Sequence, residues 1–112
     1  MKVAIYQIED TGGAPKNIAK ARKAIVNTSA DFFILPEFFA IPGGDFRKKY
    51  TLEQCWQETG KPAIEMLKES SRQFNGYLIG GTVLEKDKDS YFNSCYVFKQ
   101  GKLIAKYRKI NI

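Results

Sequence analysis

The chain has 112 residues, which is room for one domain, and its composition of 44% hydrophobic and 27% charged residues is that of a globular protein. It contains no histidine and two cysteines, and its formal net charge is +6. These counts exclude Ser-His and Cys-His nucleophile pairs, zinc sites that need imidazole and a dense disulfide framework.

The amino-terminal third of the sequence has a strand–helix–strand pattern. Within residues 2–8 the apolar side chains alternate to both sides, Val3 and Ile5 to one and Ala4, Tyr6 and Ile8 to the other, which is typical of a strand buried on both faces. Residues 15–28 place Ile18 and Ile25 on one face of a predicted helix, and residues 31–35 form an apolar run with strong strand propensity. Two strands separated by such a helix are naturally joined by a right-handed parallel crossover.

A loop and a second helix follow. Residues 38–50 contain Pro-Gly-Gly-Asp and predict a loop, which is either the rim of a functional site or plain surface. Pro62 suits the first turn of the second helix. Asn75 and Gly76 are predicted to end this helix in the left-handed conformation.

The remaining sequence predicts three strands. They span residues 77–84, 91–99 and 102–110, and Gln100-Gly101 is predicted to form a tight hairpin turn between the last two. The complete order is βαβαβββ, an α/β fold that ends in an antiparallel meander.

Glu37 is the first candidate for a chemical role. It follows an apolar strand and Pro36, so it is expected at the carboxyl end of a buried strand, where open α/β sheets place their ligands. Neighbouring Phe38 and Phe39 would partly desolvate the carboxylate and raise its pKa toward a value useful to a general base. The alternative is a solvated loop glutamate.

Lys109 is the second candidate. It lies at the end of a basic strand, where its ammonium group could stabilise a developing oxyanion. Position alone favours the alternative, that Lys109 is one of several solvent-facing cations. Nucleic-acid binding by the surrounding basic segment is a further alternative. It is disfavoured because acids are scattered through the rest of the chain and no recognition motif is present. The basic segment comprises Lys99, Lys102, Lys106, Arg108 and Lys109.

Four segments occur in an order that resembles the amino-terminal part of the nitrilase superfamily, the carbon–nitrogen hydrolases. They are KVAIYQIED, ADFFILPEFF, YLIGGTVLE and YFNSCYVFKQGKLIAKYRKI. The resemblance covers nearly the whole chain, so residues 1–112 are interpreted as the amino-terminal part of one hydrolase domain. It implies that the βαβαβββ chain is half of an α-β-β-α sandwich, and it implies no metal or organic cofactor.

The resemblance also implies a Glu-Lys-Cys triad that hydrolyses non-peptide amides or nitriles. Glu37 matches the glutamate that takes the thiol proton and later activates water. Lys109 matches the lysine that stabilises the tetrahedral intermediate. The cysteine attacks the substrate carbon, and water then cleaves the thioimidate or acyl-enzyme with release of ammonia or an amine.

The sequence departs from the superfamily at the nucleophile. That cysteine normally lies a few tens of residues beyond the lysine, whereas this sequence ends at Ile112, and Asn111 stands where many members have histidine. Neither Cys55 nor Cys95 has the context of the nucleophile, and Cys95 is predicted to be a small core residue in mid-strand. We therefore expect a truncated hydrolase that is inactive alone.

Half of a sandwich would leave one sheet face uncovered. Phe92, Tyr96 and Phe98 alternate along one strand and are predicted to need a partner surface, supplied by a homo-oligomer or a complementary polypeptide. A non-catalytic assembly module is the main alternative function. The sequence has neither a secretory signal nor an apolar run near the length of about eighteen residues that a membrane span needs, so a cytoplasmic location is expected.

Overall fold

The computed structural model describes residues 1–7, 13–42 and 50–109, and within them it shows helices packed on one mixed β-sheet. This arrangement confirms the predicted α/β class. None of the helices in these ranges has the length and hydropathy needed to cross a bilayer. In chain order the elements are β1 (Val3–Ile5), α1 (Ala14–Val26), β2 (Phe32–Ile34), α2 (Leu52–Cys55), a π-helical turn (Trp56–Gly60), α3 (Lys61–Ser71), β3 (Tyr77–Ile79), β4 (Val83–Asp87), β5 (Ser90–Lys99) and β6 (Lys102–Arg108).

The sheet has a parallel half and an antiparallel half. β1, β2 and β3 are parallel neighbours, as expected of strands joined by helical connections. β5 is antiparallel to its neighbours: β3 and β4 pair with one edge of it, and β6 pairs with the other. The predicted strand 77–84 is therefore two strands, because the chain leaves the ladder between Ile79 and Val83.

The hydrophobic core lies between the helices and one face of the sheet. Phe33 packs edge-to-face on Phe74 with ring centroids 5.9 Å apart, and both side chains are buried. Burial of this apolar surface is the main favourable term in folding. The helices and the sheet contribute Ala21, Ile25, Ala63, Leu67, Leu78 and Phe98, all at most 3% exposed.

The first strand differs from its prediction, because only one of its faces is buried. Val3 and Ile5 are 49% and 73% exposed, whereas Ala4 and Tyr6 pack against the core. Alternation along the strand places Val3 and Ile5 on the sheet face away from the helices. Residue 8, the predicted end of this strand, lies outside the described residues.

The second helical segment begins ten residues before its predicted start. Thr51 caps α2 through a reciprocal capping box with Gln54, and the π-helical turn then leads directly into α3. A Thr-Gly-Lys-Pro sequence is unfavourable for a regular helix, which is why the pattern indicated a later start. Gly60 is required within this turn, since a Cβ atom there would lie 1.9 Å from the carbonyl oxygen of Leu84.

The predicted left-handed stop at Asn75-Gly76 is wrong. α3 ends at Ser71, and neither residue has a positive φ. Gly76 is instead buried where the chain approaches the start of β2, and a Cβ atom would lie 2.3 Å from the carbonyl oxygen of Asp31. Glycine is therefore needed here for close approach of two backbones.

The predicted hairpin turn at Gln100-Gly101 is confirmed. Both residues are left-handed, with φ values of 50° and 79°, as in the turns that match the twist of a two-residue hairpin. Asn is the usual first residue of such a turn. Gln100 serves here because its Nε2 donates to the backbone carbonyl of Phe74 at 2.9 Å, which ties the turn to the end of the helical layer.

The sheet face away from the helices is exposed, but its side chains are not the ones predicted. Tyr96 and Phe98 are 8% and 3% exposed and belong to the core beneath the helices. Phe92 lies on the same side of β5 and contacts the guanidinium of Arg108, 4.0 Å from the ring centroid. The prediction assigned these residues to the wrong face. We define the open face as the side of the sheet that carries Val3, Ile5, Phe32, Ile34, Ile79, Cys95, Val97 and Tyr107.

Candidate functional site

Glu37 and Lys109 are brought into contact by the fold. Lys109 Nζ lies 3.1 Å from Glu37 Oε2, although the two residues are 72 positions apart in the sequence. Glu37 follows the carboxyl end of β2, and Lys109 follows the carboxyl end of β6. The side chains are 54% and 53% exposed, so the expected desolvation of Glu37 is not observed.

The turn that carries Glu37 is held by the segment between β3 and β4. Phe38 has a φ of 48°, which is unusual for a bulky side chain and costs on the order of 1–3 kcal/mol. Its backbone N–H donates to Thr82 Oγ1 at 3.0 Å. The backbone of Gly81 packs closely against that of Pro36, the residue before Glu37. A Cβ atom at Gly81 would lie only 2.0 Å from the carbonyl oxygen of Pro36.

Substitution of Gly81 is therefore expected to distort this turn. Gly81 has a φ of 60°, and Gly81→Ala would add both left-handed strain and a backbone clash. We expect the free energy of unfolding to fall by about 2–4 kcal/mol. The matched control is Gly13→Ala, whose nearest atom would be 3.9 Å away. Urea unfolding of both variants measures the difference, and equal midpoints would contradict the packing described here.

Lys109 is held by its backbone and by the strand before it. Its N–H donates to the carbonyl of Asn93 at 2.7 Å, which continues the pairing of β6 with β5. Arg108, the preceding residue, faces the opposite side of the sheet and bonds to Glu85 with Nε at 2.9 Å and Nη2 at 3.0 Å.

Glu85 is the buried centre of a charged cluster that sequence reasoning missed. Its side chain is 5% exposed and also accepts hydrogen bonds from Ser94 Oγ and Lys106 Nζ, each at 2.6 Å. Burial alone would raise the pKa of Glu85, but the bonds from Arg108, Lys106 and Ser94 outweigh it and lower the pKa to about 2. The available sequence signal was a glutamate at an inward-facing strand position, two residues after buried Val83.

An apolar cavity of about 300 Å³ lies beside the Glu37 turn. Phe38 contributes to its wall, so the cavity begins one residue from the candidate base. Such a space suits the hydrocarbon part of a ligand. The other lining residues are Ile41, Tyr50, Leu52, Cys55 and Leu84. Phe38 and Tyr50, the first and last residues of the predicted loop 38–50, both line this cavity. Residues 43–49 of that loop lie outside the described part of the chain.

The two cysteines lie in different places. Cys55 is 6% exposed at the end of α2 and lines the cavity. Cys95 lies in the middle of β5, opposite Tyr107, and burial raises the pKa of its thiol. A raised pKa lowers the thiolate fraction and hence the nucleophilicity of Cys95. Within residues 1–7, 13–42 and 50–109, no three Cys, Asp or Glu side chains are grouped as metal ligands.

The predicted basic segment is largely engaged with other groups. Lys106 and Arg108 pair with Glu85, and Lys109 pairs with Glu37. These contacts reduce the positive charge that the segment presents to phosphates. In addition, Lys99 Nζ lies 4.3 Å from the centroid of the Tyr77 ring.

Comparison with known proteins identifies the family. The carbon-nitrogen hydrolase family matches residues 2–112. The chain is 32% identical to the chloroplastic omega-amidase of Arabidopsis thaliana, with 98% of this chain and 31% of that protein covered. It is also 32% identical to the omega-amidase NIT2 of Homo sapiens, with 99% of this chain and 40% of that protein covered. The chain thus spans less than half the length of these relatives.

Solved structures agree in fold. Nit3 of Saccharomyces cerevisiae, a member of branch 10 of the nitrilase superfamily, matches with a TM-score of 0.74 at 26% identity, over 99% of this chain and 44% of that one. A carbon-nitrogen hydrolase from Helicobacter pylori matches with a TM-score of 0.76 at 20% identity, over 100% and 40%. The family match covers almost the entire sequence, and the fold agrees with it. The chain belongs to the carbon–nitrogen hydrolase family, within the nitrilase superfamily.

Proposed function

We propose that this chain is the amino-terminal portion of a hydrolase that acts on non-peptide amides, with Glu37 as general base and Lys109 as the cation at the reacting carbon. The observation that carries the proposal is the 3.1 Å contact between these two side chains. A general base and an electrostatic stabiliser must both lie within hydrogen-bond reach of the reacting group. The similarity to omega-amidases favours an amide over a nitrile as substrate.

The proposed chemistry needs a thiol. The carboxylate of Glu37 accepts the thiol proton while sulfur bonds to the carbonyl carbon, and the ammonium group of Lys109 stabilises the resulting oxyanion. Collapse of this intermediate breaks the C–N bond as protonated Glu37 returns its proton to the nitrogen, which leaves as ammonia. The ionised Glu37 then takes a proton from water as the water oxygen attacks the thioester carbon, and collapse of this second intermediate releases the acid and returns the proton to sulfur. Cys95 is disfavoured as nucleophile by its raised pKa and mid-strand position. We propose that another polypeptide segment supplies the thiol and that this chain alone is inactive.

The open face is the proposed contact surface for that segment. Val3, Ile5 and Tyr107 are 49%, 73% and 64% exposed, and half-buried Cys95 and Val97 lie between the two edges. Contiguous apolar surface of this kind marks interaction sites in soluble proteins. We propose that a complementary polypeptide covers this face and that, without one, the chain self-associates through it.

Reconstitution tests the proposal. The chain is mixed with, or fused to, the portion of human omega-amidase NIT2 that it does not match, and complex formation is measured by light scattering. We expect ammonia release from an ω-amide of a dicarboxylic acid by the assembled protein and by neither part alone. A non-catalytic assembly module, favoured by the open face, predicts a complex without ammonia. A folded fusion that releases no ammonia would therefore contradict the hydrolase proposal, and a monodisperse monomer of the chain alone would contradict self-association.

A further inference from the structure

We propose that Glu85 is a positioning residue for Lys109, acting through Arg108 to fix the register of β6. This inference rests on the proposed function for its significance, because it concerns the placement of the cation in the candidate site. Glu85 itself bonds to Ser94, Lys106 and Arg108 rather than to Glu37. Its effect is on where the end of β6 lies relative to the turn that carries Glu37.

The geometry of Glu85 joins three strands. Glu85 lies on β4, Ser94 on β5, and Arg108 on β6, and the carboxylate of Glu85 bonds to both of the other residues. Within β5, Ser94 is paired with Val83 on one side and with Arg108 on the other. The carboxylate therefore spans β5 and connects its two neighbours on the helix-facing side.

Arg108 is fixed more completely than the rest of β6. Its guanidinium engages both oxygens of Glu85, donates from Nη2 to Asp87 at 2.8 Å, and covers the ring of Phe92. A two-pronged guanidinium–carboxylate contact fixes direction as well as distance. Successive side chains of a strand point to opposite faces, so an inward Arg108 requires Lys109 to face the side of Glu37.

The register of β6 against β5 depends on a specific contact such as that of Arg108 with Glu85. The pairing of β5 with β6 shifts between Val97 and Phe98, so that Ile104 is an extra residue in the ladder. All six residues 102–107 that precede Arg108 are exposed, and none has a place in the core; Leu103 and Ile104, for example, are 50% and 53% exposed. Apolar burial therefore specifies this register weakly, and a slip of one residue would turn Lys109 to the helix-facing side.

A buried ionic cluster is better suited to fixing the register of β6 than to stabilising the fold. Ion pairs of this kind contribute little net stability compared with apolar packing, and their best-supported use is to specify register. The positions now held by Lys106 and Arg108 bring two cations to Glu85, the one buried carboxylate in residues 1–7, 13–42 and 50–109. Shifting β6 by one residue would leave the charge of Glu85 without these partners, which is strongly unfavourable.

The test measures the Glu37–Lys109 contact directly in the 112-residue chain without a partner. A zero-length carbodiimide joins a carboxylate to an amine in contact, and peptide mass spectrometry quantifies the Glu37–Lys109 product. We expect Glu85→Gln to lower its yield roughly tenfold. The control is Glu53→Gln, which removes a carboxylate bonded to Lys86 and Tyr91 and is expected to leave the yield unchanged.

Arg108→Lys is the second variant, because it keeps the charge but loses the two-pronged contact and leaves no buried carboxylate without a cation. We expect it to lower the cross-link yield in the same direction and to speed hydrogen exchange of the Lys109 amide about tenfold, at unchanged circular dichroism. Wild-type yields and exchange rates in folded Arg108→Lys would overturn the inference. Neither the cross-link yield nor the exchange rate requires substrate. Both can therefore be interpreted even if the reconstituted enzyme releases no ammonia.

Discussion

Glu37→Gln is expected to lower kcat of the reconstituted hydrolase about a thousandfold or more, with a much smaller change in KM. Glutamine preserves the size of the side chain and an oxygen close to Lys109, but it cannot accept the thiol proton. Ammonia release from an ω-amide under saturating substrate measures the effect. The fall should appear in kcat because the lost interaction belongs to proton transfer.

Lys109→Met provides the companion measurement. Removal of the cation is expected to lower kcat by about a hundredfold to a thousandfold, as for loss of an oxyanion-stabilising donor. Because the two side chains are in contact at 3.1 Å, the double variant should be little worse than Glu37→Gln alone. Glu53→Gln is the matched control for loss of an ion-paired carboxylate. If Glu37→Gln retained activity within a few-fold of the unmodified enzyme, the assigned role of Glu37 would be wrong.

Acidification from pH 6 to pH 2.5 is expected to remove most of the roughly 3 kcal/mol by which the ionised form of Glu85, relative to its protonated form, favours folding. The pKa of Glu85 is about 2 in the folded chain, against an ordinary value of 4.5. A lowered folded-state pKa means that the contribution is fully present above 4.5 and is lost as the pH falls toward 2. Urea unfolding at a series of pH values measures this dependence.

Glu85→Gln should be less stable at pH 6 and should lose much of the pH dependence between 4.5 and 2. Glu53→Gln is the control, because the pKa of Glu53 is also lowered, chiefly by the hydrogen bond from Lys86, but that pair lies at the surface. Surface pairs contribute little, so this variant should retain most of the acid sensitivity. The same pH profile in Glu85→Gln and the unmodified chain would show that Glu85 is not its source.

The contact between Glu37 and Lys109 is the part of the candidate site that the sequence anticipated best. A glutamate after a buried strand and a lysine after a basic strand are local patterns, and resemblance to a known family supplied the pairing between them. The strand–helix–strand unit and the hairpin at Gln100 were equally local. Their prediction needed only the spacing of apolar residues and the chemistry of turns.

The failures have a common physical origin in contacts between distant parts of the chain. The face occupied by Tyr96 and Phe98 depends on which side of the sheet the helices cover, and alternation alone does not specify that side. The π-helical turn is tolerated because Gly60 packs against Leu84. Glu85 was overlooked because its partners Ser94 and Arg108 lie 9 and 23 residues away and converge only when three strands are aligned.

The segment between β3 and β4 limits where the chain can accept an insertion without disturbing the candidate site. Thr82 holds the turn after Glu37, while Glu85, three residues later, holds β6, the strand that immediately precedes Lys109. One short stretch of backbone thus sets the separation of acid and amine from both directions. An insertion there would displace both groups at once, whereas one in the exposed turn at Lys88 would be absorbed by solvent-facing chain without altering their spacing.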